Sequence, residues 1–140
     1  MPNTQVNITL TVGQNPSNGS YVYSFSGDNV DSSGNIDLSS IENPVQATIT
    51  LSSALDLSFH SPARDTMLLA QAADLPQGQC PTSAYSNGTE FNGFAFPANN
   101  GSSLQFIDNN DDDVAWVYAL QIDNNGTGTT FVVDPGIINH

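Results

Sequence analysis

The densest run of chemically capable residues in this chain is Asp108-Asn109-Asn110-Asp111-Asp112-Asp113. Asp108, Asn110 and Asp112 match the first three oxygen-ligand positions of an EF-hand loop, D-x-[DN]-x-[DN]. The match ends there, because Asp113 stands where the loop needs glycine and Ala119 where it needs a bidentate glutamate. What the run can supply is a Ca²⁺ site of another kind, with Asp108, Asn110, Asp111, Asp112 and Asp113 as ligands. A second loop carrying Asp28, Asp31 and Asn35 would complete it. The competing reading is a solvated loop whose Asp and Asn side chains close turns.

Nucleophilic catalysis has thinner support. Ser58, His60 and Asp65 are suitable residue types, but Ser and His two positions apart share a strand face whether or not they react. No G-x-S-x-G elbow is present. No catalytic residue is assigned, and the chain is expected not to be an enzyme. A blue-copper set needs a Cys followed closely by His and Met, whereas Met67 precedes Cys80 and only His140 follows it. His60 lacks partner ligands for zinc. As the only cysteine, Cys80 cannot form an internal disulfide and leaves the compartment unconstrained. Arg64, the one strong cation, suits a hydrogen-bonded pair with a nearby acid.

The formal net charge is −13, from a single Lys or Arg residue against fourteen acids. Charged residues make up 11% of the chain, so the sign reflects missing cations more than abundant acids. Nucleic-acid binding needs a basic footprint, and so does adsorption to anionic lipid, so neither is expected. No apolar run approaches the roughly 20 residues of a membrane span. The opening MPNTQVN has neither a basic nor an apolar leader region, which makes a cytoplasmic location the default and a cleaved leader the other reading. Sequons begin at Asn7, Asn18, Asn87, Asn100 and Asn125, and all but the first are Asn-Gly pairs that read as turns.

The elements that must position these groups are strands. Val6, Ile8, Leu10 and Val12 alternate with polar residues, and so do Val45 to Leu51, then Leu55, Leu57 and Phe59, while Tyr21, Tyr23 and Phe25 alternate with Val22 and Ser24. Ile36 to Leu38 suits a short edge strand. Residues 66–74 have the best helix propensity but could equally hold a strand around Met67 to Leu69. Residues 75–102 show no sustained period, and Phe91 to Phe96 is the place for a hidden strand. Val114, Trp116, Tyr118, Leu120 and Ile122 form one face of a strand whose other face is also largely apolar, which predicts a central strand covered on both faces. Asn125-Gly126 then suits a two-residue type I′ turn. That turn pairs Ile122 with Thr129, Leu120 with Phe131 and Tyr118 with Val133. The whole reads as a single domain over 1–140: an all-β antiparallel β-sandwich of about seven strands, immunoglobulin-like or cupredoxin-like.

The closing residues carry a family resemblance. Trp116-Val117-Tyr118-Ala119-Leu120, followed by Phe131-Val132-Val133-Asp134-Pro135-Gly136-Ile137-Ile138-Asn139, resembles the DP-EP family of small bacterial proteins. The Tyr-bearing strand, turn and Asp-Pro-x-Ile-x-Asn ending are also similar to those of the inclusion-body protein family. The resemblance spans about Asp108 to Asn139. The Glu-Pro dipeptide is absent, the nearest sequence being Glu42-Asn43-Pro44. The resemblance implies a compact all-β domain and no assigned catalytic activity, so it bears on the fold and little on function. Independently of it, Pro135 is expected to end the strand ladder after Val133, Asp134 to accept downstream backbone N–H groups, and Gly136 to permit a tight turn.

Two functional classes follow. One is a non-catalytic β-sandwich acting through protein interaction or self-association, a homo-oligomer included. The other is a Ca²⁺-assisted module for carbohydrate or another small ligand, using loop 108–113.

Overall fold

In the computed structural model, residues 4–61, 63–74, 81, 90–97, 101–110, 114–133 and 136–138 are described. Eleven strands run β1 (Thr4–Gln14), β2 (Tyr21–Gly27), β3 (Ile36–Asp37), β4 (Val45–Ser53), β5 (Leu57–Phe59), β6 (Met67–Gln71), β7 (Phe91–Ala95), β8 (Ser103–Asp108), β9 (Ala115–Asn124), β10 (Thr129–Val133) and β11 (Gly136–Ile138). Among the described residues one α-helical turn, α1 (Ala63–Thr66), precedes β6 directly. The strands form two sheets, an all-β sandwich with more strands than the about seven expected. The first sheet is ordered β2-β1-β4-β8-β7, and the second β10-β9-β11-β3, with β5 and β6 on β9.

Alternation decides what lies between the sheets. Val6, Ile8, Leu10 and Val12 of β1, Val45, Ala47 and Ile49 of β4, and Leu104 and Phe106 of β8 all point inward. They meet Trp116, Tyr118, Leu120 and Ile122 of β9, with Phe59, Met67, Leu69 and Val133 beside them. Fully burying an aliphatic side chain contributes about 1.5–3 kcal/mol, and this inner layer is the main source of stability. The pairing is not purely antiparallel, since β1 pairs with β4 in parallel and β11 with β3 in parallel. For β1 and β4, the thirty residues between them are long enough to carry the chain back to the same end of the sheet.

β9 is central, as its apolar character predicts, because both of its edges are paired. β10 and β11 lie along one edge, and β5 and β6 along the other. Its outer face is less covered than expected: Ala119 is buried, Val117 and Gln121 are half-buried and Ala115 is exposed.

The hairpin register differs from the sequence expectation by two residues. Thr129 pairs with Asn124, Phe131 with Ile122 and Val133 with Leu120. The loop therefore has four residues, closed by Gly128 N–H donating to the Asn124 carbonyl at 2.8 Å. The left-handed residue is Gly128, at φ 72°, and not the Asn125-Gly126 pair that a type I′ turn requires. A shift of two preserves the strand face, so Trp116, Tyr118 and Leu120 stay buried.

The Asp-Pro break also behaves differently from expectation. β10 and β11 share one register on β9, with Val133 opposite Leu120 and Gly136 opposite Val117. The ladder resumes after Pro135, and Gly136 sits in a strand and not a turn. Proline removes a donor but keeps an extended φ, which a strand tolerates where that donor is not needed. Asp134, Pro135 and Asn139 lie outside the described residues. The segment offered as either helix or strand divides: Ala63–Thr66 is helical, Met67–Gln71 pairs with β9, and Ala72–Asp74 forms a 3₁₀ turn.

Candidate functional site

β5 and β6 lie on the same edge of β9 in different registers. Phe59 faces Ile122 and Met67 faces Leu120, so the chain covers eight residues while β9 covers two. The surplus leaves the sheet as an excursion that carries His60 and ends in α1. Gln121 holds both ends: its carbonyl accepts the His60 N–H at 2.9 Å, and its Nε2 donates to the Asp65 carbonyl at 2.8 Å. Thr66 closes the loop by donating its hydroxyl to the His60 carbonyl.

That arrangement sets His60 Nδ1 2.8 Å from Asp123 Oδ1. Thr130 Oγ1 donates to the same oxygen at 2.7 Å, and Ser58 lies directly across the ladder from Asp123. Burial works to raise the Asp123 carboxyl. Hydrogen bonds from Thr130 and His60, with the charge that His60 can carry, outweigh it and hold the group below the usual carboxylate range. With its Nδ1–H on the carboxylate, neutral His60 presents Nε2 as an acceptor. Asn125 donates from Nδ2 to Ser58 Oγ at 3.2 Å and to Asp56 Oδ1 at 3.3 Å, which fixes its amide over the same spot.

Two adjoining depressions meet at Asp123 and Asn125. One, of about 280 Å³, takes in His60, Thr129 and Thr130. The other, of about 360 Å³, takes in Ser58, Ser61, Phe96 and Gly101. Gly101 has φ +72°, and a Cβ there would lie 3.3 Å from both the Phe59 carbonyl and the Ser58 side chain. Ser58 and His60 were legible as a pair on one face. Asp123 was not, because the offset between β5 and β6 that delivers it is a tertiary feature. Asp65, the acid the sequence offered, instead contributes its backbone carbonyl.

The acidic run has a different role where it is described. Asp108 and Asn110 are 0% and 1% exposed. Asp108 Oδ1 accepts the Asn110 N–H at 2.9 Å, and Glu90 Oε1 accepts the same N–H at 2.7 Å. Asn110 Nδ2 donates to the carbonyls of Ile41 at 2.6 Å, Asn43 at 3.2 Å and Leu38 at 3.4 Å. These two residues therefore tie the end of β8 to loop 38–43. Asp111, Asp112 and Asp113 lie outside the described residues. In the second loop, Asp31 accepts hydrogen bonds from the backbone and side-chain amides of Asn35, and these hold its carboxyl below the usual value. Asp28 Oδ2 accepts the Asn7 N–H at 3.0 Å. Among the described residues, no three His, Cys, Asp or Glu side chains gather as metal ligands.

A second surface is the side of the sandwich where β2 and β10 each end a sheet. Tyr21 of β2 stacks on Phe131 of β10, with centroids 3.7 Å apart and planes 9° apart. Asn124 Nδ2 donates to the Tyr21 hydroxyl at 2.9 Å. Tyr23 is on the same face of β2 as buried Phe25, yet remains 41% exposed, and Val132 of β10 is 42% exposed. Loop 28–35 covers part of the outer edge of β2, where Phe25 N–H donates to the Ser32 carbonyl. No described strand covers the outer edge of β10. Among the described residues, no helix is long and apolar enough to cross a membrane. No protein-family model matches the chain, and no curated protein matches it either.

Proposed function

We propose that this chain is a non-catalytic β-sandwich that binds an extended segment of another protein along the outer edge of β10. The observation that carries the reading is the uncharged, aromatic side where β2 and β10 end their sheets. Natural proteins blunt open edges with charge, proline or covering loops. Neither TTFVV of β10 nor YVYSFSG of β2 holds a charged residue, in a chain of net charge −13. A strand added to β10 satisfies its outward backbone groups and covers Tyr23. The wider charge selects the occupant: a segment flanked by Lys or Arg is attracted, while a second copy brings another −13. The resemblance of the closing residues to the DP-EP family fits a small all-β domain. An expected lack of nucleic-acid and lipid binding follows from the same charge.

The test uses a peptide of alternating Val and Thr with lysines at both ends, and the same peptide with glutamates instead. Backbone amide exchange should slow across Thr129–Val133 with the lysine peptide alone. Tyr23→Ser should weaken binding about tenfold or more without unfolding the protein, since Tyr23 is exposed. Equal binding of both peptides rejects the charge argument. A concentration-dependent dimer lost in Tyr23→Ser names a second copy as the occupant, and unchanged exchange throughout removes the edge reading.

A further inference from the structure

We infer that the notch formed by Ser58, His60, Phe96, Asp123, Asn125 and Thr130 is a metal-free binding site for a neutral disaccharide. It stands apart from the β10 edge reading and from the acidic loop, and rests on what the notch leaves available. Asp123 Oδ1 is taken up by His60 and Thr130, which leaves Oδ2 as the remaining acceptor. His60 spends Nδ1 on that carboxylate and keeps Nε2. Asn125 spends Nδ2 on Ser58 and Asp56 and keeps its carbonyl. Ser58, accepting from Asn125, has its own hydroxyl proton to give. The site therefore offers three acceptors and a donor, oriented by hydrogen bonds made before any ligand arrives. Sugar hydroxyls both donate and accept, and they suit this mixture of three acceptors and one donor.

Shape supports the same class. The two depressions are of similar size, adjoin at Asp123 and Asn125, and would take one pyranose ring each. Half-buried Phe96 lines only the second, supplying an apolar surface for the C–H face of that ring. Mostly polar walls with one aromatic contact, with Ser58, Asp123 and Thr130 on strands, give orientation at modest affinity. The carboxylate is needed as an acceptor and not as a base, because no described nucleophile contacts His60 Nε2.

The experiment is a titration of the isotope-labelled chain with maltose, cellobiose and lactose, in EDTA, followed through the backbone amide resonances. Butylammonium chloride serves as the cationic control. The expected result is saturable shifts at Ser58, His60, Asp123, Asn125 and Thr130 for at least one disaccharide, with Kd of about 1 mM. Asn125→Ala, in an exposed loop, should weaken binding about tenfold, as should Asp123→Asn. Phe96→Ala should do likewise, and the Asn125 variant keeps the result interpretable if Phe96→Ala fails to fold. The proposal is overturned if no disaccharide gives saturable shifts, if butylammonium produces the same shifts, or if Asn125→Ala and Asp123→Asn bind like the parent.

Discussion

The Tyr118 hydroxyl donates to the Gly34 carbonyl at 2.7 Å, joining the middle of the central strand to a loop 84 positions earlier. Tyr118 is fully buried, so its hydroxyl must find a partner inside the protein, and this backbone oxygen is the one it reaches. The bond ties loop 28–35, which covers part of the outer edge of β2, to the central strand.

Tyr118→Phe keeps the ring and removes that bond. The loss should be about 1–2 kcal/mol at neutral pH, read from urea melts. Burial pushes the Tyr118 hydroxyl well above its ordinary value of 10.0, and the Asp31 carboxylate adds to the shift. A raised value in the folded state means that the stabilisation is complete below the ordinary tyrosine range. It is then lost as pH climbs from that range toward the folded-state value. The parent should therefore lose stability above the ordinary range more steeply than Tyr118→Phe. Tyrosinate absorbance should show one of the four tyrosines ionising only with unfolding.

Gly34 is held from the other side by Phe25. It has φ +92°, and a Cβ there would lie 2.4 Å from Phe25 Cε1. The clash is with a buried ring and the backbone is in the left-handed region, so neither can relax cheaply. Gly34→Ala should cost about 2–3 kcal/mol, and thermal melts would check it. Gly19, also left-handed but with nothing near its Cβ position, is the control and should cost less.

What was legible in the sequence was mostly periodicity. Val6 to Val12 and Trp116 to Ile122 alternate cleanly because one face of each strand is buried, and burial is a local signal. The two-residue hairpin error arose because Asn125-Gly126 and Thr127-Gly128 are both plausible turn pairs, and only the backbone decides which glycine goes left-handed. Even so, the buried face came out right, since a shift of two residues moves no side chain across the sheet. The His60–Asp123 pair could not be read, because it depends on the offset between β5 and β6. Asn110 was misleading for a different reason. Asp-x-Asn is equally suited to ligating a cation and to closing a buried turn, and the choice rests on what loop 38–43 presents to it.

Asn110 therefore gives the sharpest test of how the described part of the acidic run works. Its φ of 57° suits Asn or Gly, and its buried Nδ2 donates to the carbonyls of Leu38, Ile41 and Asn43. Asn110→Gly keeps the backbone conformation and loses the donor. Asn110→Ala loses the donor and adds left-handed strain, so it should be the worse of the two, at about 2–4 kcal/mol. Asn110→Asp should be worst, because it turns a carboxylate onto carbonyl oxygens in a region that already holds Asp108 and Glu90. Urea melts of all three, in Ca²⁺ and in EDTA, separate a tie between β8 and loop 38–43 from a ligand role. A structural tie predicts the order Gly, Ala, Asp with the same spacing in both buffers. A loss confined to Ca²⁺, with the Ala variant matching the parent in EDTA, would instead make Asn110 a metal ligand and return the acidic run to the centre of the function.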